Sequence, residues 1–177
     1  HVPYFACNEL WSNVQADREA AFALHAGWVD DCARHEIPRM VMHVTRGRSA
    51  PAPHAAALNA FRELVDHGQR RNVVIAIENT HSVEHLDSLL DSIDSPALGV
   101  CYDVAHDRLH SPDPLGLVHR WGQRVAVMHV SDTDGRRDWH WLPGDGNTDF
   151  DEVGGCFSSP YDGPLMLESM LRSDEPP

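Results

Sequence analysis

The chain has 177 residues, 42% of them hydrophobic and 23% charged, a balance that suits one globular domain (1–177) with a real apolar core and excludes a disordered, collagen-like or disulfide-stapled chain. No apolar run approaches the ~18 residues a membrane span needs. Its 14 basic residues, all arginine, face 27 acidic ones for a net charge of −13, which excludes a Schiff-base or P-loop lysine, argues against passive polyanion binding, and leaves carboxylates for divalent cations to neutralise.

The elements follow in chain order. Residues Ala16 to His35 carry Ala20, Phe22, Ala23, Trp28 and Val29 at helical spacing. The run Arg39-Met-Val-Met42 reads as a strand, and Ser49 to Pro53 as a loop and helix entry. Ala55 to Gly68 sets Leu58, Phe61, Leu64 and Val65 on one helical face, with Gly68 as a stop. Val73 to Ile77 is the next strand, and Ser82 to Ile93 a helix with Ser82 as N-cap. Leu98 to Tyr102, Val125 to Met128 and Pro164 to Leu167 are three further apolar runs, with a short helix at Pro114 to Trp121 before the second of them. Short continuous apolar runs suit strands buried on both faces, and their alternation with helices predicts an α/β fold with a parallel sheet. The tail Ser173 to Pro177 is expected to fray.

Each apolar run ends in a residue that can bind metal. His43, Glu78, Asp103, His129 and Glu168 follow the five runs in turn. In a (β/α)-barrel the strand C-termini converge on one face, where the active site sits. Ionisable groups buried there are costly unless paired or metal-bound, and five in series point to one shared site. His106 is expected on the loop just past its strand, close to Asp103. Asp138 and His140, two apart, point the same way in an extended segment and can reach one ion. His1 stands before Val2-Pro-Tyr4 as a further strand-end candidate. Mixed histidine and carboxylate ligands suit Zn²⁺, Mn²⁺, Co²⁺ or Fe²⁺ and suit Ca²⁺ poorly, and a surplus of ligands leaves room for one to three ions.

Histidine is the compositional outlier, at 13 residues. His25, His35, His54, His67, His81, His85, His110 and His119 fall in or beside helices and loops and read as surface or capping residues. Cys7, Cys32, Cys101 and Cys156 form no C-x-x-C pair, which excludes a zinc ribbon and reads as free thiols of a reducing, cytoplasmic compartment. No leader is visible, although the chain starts at His1 without Met. Trp11 reads as a core residue or a stacking face for a sugar; Trp139 and Trp141, flanking His140, read as loop packing.

The segments Ile77-Glu-Asn-Thr80, Gly99 to His106, Met128 to His140 with Pro143-Gly-Asp-Gly146, and Tyr161 to Glu168 resemble the xylose isomerase-like TIM-barrel superfamily, which includes sugar-phosphate isomerases and epimerases and endonuclease IV. The resemblance implies a single-metal set at Glu78, Asp103, His129 and Glu168, and a substrate-orienting histidine at His106. Further ligand positions of the endonuclease IV branch fall on His1, His43, Asp138 and His140. It implies a (β/α)8 barrel that is incomplete here, with about six strands and the first two strand–helix units missing, since a closed barrel takes about 250 residues. A fragment is the favoured explanation; completion of the barrel by another chain is the alternative.

The function so implied is a metal-dependent isomerase or epimerase acting on a small sugar or sugar-phosphate-like carbonyl substrate. A divalent cation (Mn²⁺, Zn²⁺, Co²⁺ or Mg²⁺, one to three ions) polarises the carbonyl. Glu78 and Glu168 then move the proton through a metal-bound enediolate, with His106 holding a hydroxyl. Arg137, or its neighbour Arg136, and Trp11 are the candidate substrate contacts, against the bland reading of a solvated loop arginine. The alternatives are a dehydratase or lyase on the same scaffold, endonuclease IV-like hydrolysis at abasic DNA, and a non-catalytic subunit. The small-molecule reading favours no nucleic acid partner, expects no membrane and leaves a homo-oligomer open. The charge balance disfavours the nuclease, and the Glu78/Glu168 pair disfavours the non-catalytic reading.

Overall fold

The computed structural model describes residues 1–170, so the tail from Ser173 lies outside the described residues. Five strands form one all-parallel sheet in the order of the chain: β1 (Arg39–His43), β2 (Val74–Glu78), β3 (Leu98–Asp103), β4 (Val125–Val130) and β5 (Leu165–Leu167). Helix α1 (Gln15–Arg34) leads into β1, and α2 (Ala55–Arg71) and α3 (Val83–Ser92) connect the next strands. Between β3 and β4 lie α4 (Val104–His110) and α5 (Gly116–Trp121), and between β4 and β5 lies α6 (Phe150–Gly155). This is half of a (β/α)8 barrel, with every strand C-terminus on one side.

The alternation of side chains along each strand builds two distinct faces. Met40, Met42, Ile75, Ile77, Val100, Tyr102 and Met128 point outward into the main core under the helices, where Phe61, Leu64, Leu86 and Leu89 meet them. Val41, Ala76, Cys101 and Val127 form a second, smaller cluster on the inner face. His43, Glu78, Asp103 and His129 each stand two residues beyond one of these small inner residues, so the pleat aims all four to the inside.

Among the described residues five strands are found where about six were expected. The segment after His1 forms two 3₁₀ turns, Tyr4–Ala6 and Asn8–Trp11, and only the Val2 N–H donates to β1, at the Val41 carbonyl (2.9 Å). Pro3 has no N–H to continue a ladder. His106 is not on a loop but in α4, which starts directly from β3 because the Asp103 carboxylate accepts the His106 N–H (2.7 Å) and caps the helix. Ser82 does precede α3, yet its hydroxyl pairs with His85 Nδ1 (2.6 Å) rather than capping the backbone. Two histidines read as surface or capping groups are buried. His25 packs its ring edge-on against Trp28 and pairs with the Ala21 carbonyl, and His85 bridges Ser82 and the Pro51 carbonyl. His54 does cap α2, accepting from the Ala57 N–H.

All four cysteines are free thiols, and among the described residues no helix is long and apolar enough to cross a membrane.

Gly99 marks the tightest approach within the sheet: a Cβ there would sit 2.7 Å from Ala126 Cβ and 3.1 Å from the Arg124 carbonyl oxygen. Gly99→Ala is expected to lower stability by about 1–3 kcal/mol, because a buried parallel strand has no room to retreat. Chemical denaturation should show this as a lower midpoint at unchanged slope; an unchanged midpoint contradicts the packing described.

Candidate metal centre

The site is centred on Glu78, which ends β2 and has no exposed side-chain surface. Each of its oxygens meets a different set of imidazoles. Glu78 Oε2 accepts from His1 Nε2 (2.9 Å) and lies 3.3 Å from His43 Nε2 at the end of β1. Glu78 Oε1 lies 3.1 Å from His106 Nδ1 in α4 and 3.6 Å from His129 Nδ1 in β4. The His43–Glu78 register pair brings the β1 and β2 ends level, and Asp103 pairs in register with His129.

Asp103 is fully buried, and its backbone is clamped by Asn79. The Asp103 N–H donates to Asn79 Oδ1 (2.7 Å), and Asn79 Nδ2 donates back to the Asp103 carbonyl (2.9 Å). The helix cap occupies Oδ1 and leaves Oδ2 turned toward His129, 3.9 Å from its Nδ1. Glu168, just past β5, approaches from the far side, with Oε2 2.7 Å from His129 Nδ1 but outside hydrogen-bond alignment.

Ligand atoms of Glu78, Asp103, His129 and Glu168 thus lie within 4.8 Å of one another. Two further groups of nitrogen and oxygen donors are as close: His1 with His43 and Glu78, and His106 with Asp138 and His140. Cys101, one turn of the pleat below Asp103, forms a comparable set with Glu78 and His129. Glu78 Oε1, Asp103 Oδ2, both His129 nitrogens and Glu168 Oε2 are buried without a hydrogen-bond partner. Buried carboxylate and imidazole atoms are rarely left so, and a cation among them would satisfy all four residues together. The donor set, all oxygen and nitrogen, fits a divalent ion.

The sequence-predicted residues outside this centre fare differently. Asp138 and His140 do face the same way, 3.2 Å apart, with His106 Nε2 donating to the other Asp138 oxygen (3.2 Å). His140 adopts a left-handed backbone (φ 50°), uncommon for a residue with a Cβ, and its Nδ1 donates to the Glu168 carbonyl (2.8 Å), which ties this arm to β5. Trp139 and Trp141 stack on each other, 5.4 Å between centroids, in a packing role as expected. Arg137 is exposed and lies over the Trp139 ring, on the arm rather than among the ligand groups. Trp11 is no sugar-stacking face: it is 0% exposed, donates its indole N–H to the Val44 carbonyl (2.8 Å) and packs on Phe61. Asn79 was not anticipated as a supporting residue; its place directly after Glu78 was the available signal.

Over residues 1–177 the chain matches the family described as xylose isomerase-like TIM barrel. It belongs to that family. A curated relative, the uncharacterized protein y4fM of Sinorhizobium fredii (strain NBRC 101917 / NGR234), is 31% identical over 168 residues, 87% of this chain and 54% of that protein. The chain therefore spans about half the length of the curated relative it matches. Among solved structures, a D-tagatose 3-epimerase-like protein superposes with a TM-score of 0.75 at 20% identity, covering 98% of this chain and 71% of the other. D-allulose 3-epimerase from Methylomonas sp., in complex with D-allulose, gives a TM-score of 0.78 at 18% identity, over 93% of this chain and 61% of that one. These likenesses establish the fold.

In this xylose isomerase-like half-barrel, charge explains how the centre is held. Burial opposes ionisation of Glu78, but the hydrogen bond from His1 and the closeness of the His106, His129 and His43 rings hold its carboxyl well below the usual range. Burial, helped by the neighbouring Glu78 carboxylate and opposed by His106, carries Asp103 up to about 6. It also opposes protonation of His106, yet Asp103, Asp138 and Glu78 together lift that ring to about 11. His140, hydrogen-bonded to Asp138, rises to about 9, whereas burial takes His43 down to about 4. Protons on His106 and His140 therefore act as counter-charges to the carboxylates.

A raised histidine must lose its proton to coordinate a cation, so binding competes with protonation. Cation affinity is expected to rise as pH increases toward about 9, the value for His140, and binding near neutral pH should release protons. Titration calorimetry with Zn²⁺ in buffers of different ionisation enthalpy measures both. Affinity independent of pH, with no proton release, contradicts this assignment.

Proposed function

We propose that the chain carries the catalytic face of a divalent-metal-dependent isomerase or epimerase acting on a small sugar or sugar-phosphate carbonyl compound. The observation that carries the reading is the approach of two glutamates, Glu78 from β2 and Glu168 from beyond β5, to the same His129, with Asp103 beside them. A cation held by Glu78, Asp103, His129 and Glu168 supplies Lewis-acid polarisation of a carbonyl, which acidifies the neighbouring C–H. Mn²⁺, Zn²⁺, Co²⁺ or Mg²⁺ would serve.

The chain's own groups then move the proton. Burial opposes ionisation of Glu168 but His129 lowers its carboxyl, so it is a carboxylate at neutral pH, and with 38% of its side chain exposed it opens to the mouth of the half-barrel. Glu168 takes the proton from carbon and the electrons of the C–H bond pass into an enediolate; Glu78 then returns from the other side a proton it receives from His1, hydrogen-bonded to its Oε2, and Glu168 gives its own proton to solvent. His106 and Asp138, joined by a hydrogen bond, hold a substrate hydroxyl. Arg137, on the exposed arm, meets a distal oxygen of the substrate.

One observation favours a second reading. The three ligand groups together use His1, His43, Glu78, Asp103, His106, His129, Asp138, His140 and Glu168, which suits two or three cations and endonuclease IV-like phosphodiester hydrolysis. The net charge of −13 weighs against DNA as the substrate, since phosphate contacts need cationic side chains.

Solvent deuterium exchange into ketoses such as D-tagatose and D-allulose tests the first reading. Metal-loaded protein is expected to incorporate deuterium next to the carbonyl, and Glu168→Gln to lose at least ~100-fold of that rate, the usual scale for a general base. Full exchange in the variant defeats the proton-transfer role. Salt-sensitive cleavage of an abasic duplex, with no exchange into any ketose, makes the second reading the correct one.

A further inference from the structure

Asp132 lies three residues past His129, is 1% exposed and touches none of the three ligand groups. Its carboxylate nevertheless accepts four backbone N–H groups. Oδ1 takes those of Thr133 (2.8 Å) and Thr148 (3.1 Å), and Oδ2 those of Gly144 and Gly146 (2.9 Å each). Its own backbone exchanges two hydrogen bonds with Trp141, from Asp132 N–H to the Trp141 carbonyl (2.8 Å) and back (3.0 Å). One buried side chain therefore gathers both ends of the arm that runs from β4 out to Asp138 and His140 and back.

The fit is close on every side. A Cβ on Gly146 would stand 2.3 Å from Asp132 Oδ1, so that residue must be small for its N–H to reach the carboxylate. Thr133, next to Asp132, donates its hydroxyl to the Arg137 carbonyl (2.6 Å), one residue before Asp138. Trp141, bonded to Asp132 through the backbone, directly follows His140. The arm is otherwise mostly exposed, and its further ties lie at its tip, where His140 bonds the Glu168 carbonyl and His106 bonds Asp138, rather than at its two ends.

We infer that Asp132 is a positioning residue: it seats Asp138 and His140 against His106, and so governs cation binding at that group without governing the Glu78, Asp103, His129 and Glu168 group. The inference rests on the proposed metal dependence for its cation half only. Charge-assisted hydrogen bonds from backbone amides to a buried carboxylate are strong and directional, which is what holding a loop at fixed geometry requires. Supporting partners of metal ligands commonly alter affinity 10–100-fold.

Two variants approach the contact from opposite sides. Asp132→Asn puts an amide N–H₂ where backbone donors point, and Gly146→Ala crowds the carboxylate without changing its charge. Hydrogen exchange of residues 133–148 reads the seating, and zinc titration, with His140→Ala as the reference that lacks the arm group, reads the consequence. In both variants the arm amides are expected to exchange at least ~10-fold faster while strand amides are unchanged. Zinc affinity at the arm group should fall at least ~10-fold, with the other group unaltered. Arm exchange equal to wild type in both variants overturns the inference, as does faster exchange with zinc binding unchanged. Wild-type protein that takes up no zinc defeats the metal reading and the cation half with it, whereas the exchange result still decides whether Asp132 seats the arm.

Discussion

Three carboxylates and one imidazole that meet at a buried point need positive charge at that point. Glu78 and Asp103 are shut off from solvent, Glu168 is half covered, and each turns at least one unpaired oxygen toward His129. Like charges this close in a poorly hydrated site repel strongly, and burying them unpaired would cost several kcal/mol each. The protonated histidines around them offset part of that cost, and a divalent cation bound there, as proposed, would offset it more completely. The rest of the chemistry depends on this concentration of charge.

The fold makes the convergence possible. Parallel strands bring all their C-terminal ends to one side, and a small-residue layer at Val41, Ala76, Cys101 and Val127 lets the next inward residue on each strand approach its neighbours. Several residues then do two jobs. Asp103 aims one oxygen at the centre and caps α4 with the other, which also orients His106. Asn79 fixes the Asp103 backbone from the adjoining strand, so displacement of either is felt by both. His140 is held at the end of β5 through the Glu168 backbone carbonyl, a contact that leaves the Glu168 carboxylate free.

Much of this was legible in the sequence because parallel strands advertise themselves. A buried strand reads as four or five apolar residues, and a polar residue directly after each of five such runs is hard to explain except as a shared site. His43, Glu78, Asp103, His129 and Glu168 were found that way, and they lie where the pattern put them. Asp138 and His140 were marked by their spacing of two and His1 by its place before Val2-Pro-Tyr4, and the family resemblance then assigned all three to ligand positions. What stayed hidden had no local signature. α4 begins without any turn residue, because the Asp103 carboxylate that ends β3 doubles as its cap. α6 has six residues and takes its start from Asp149 accepting the Glu152 N–H. Trp11 resembles any loop tryptophan until the fold folds it under Phe61.

The central claim is that these four side chains share one ion. Anomalous X-ray diffraction from crystals grown with Mn²⁺ or Zn²⁺ addresses it without reference to substrate. A peak about 2.0–2.3 Å from ligand atoms of Glu78, Asp103, His129 and Glu168 is the expected result. Strong anomalous density confined to other residues, with these four left apart and hydrogen-bonded to water, contradicts it.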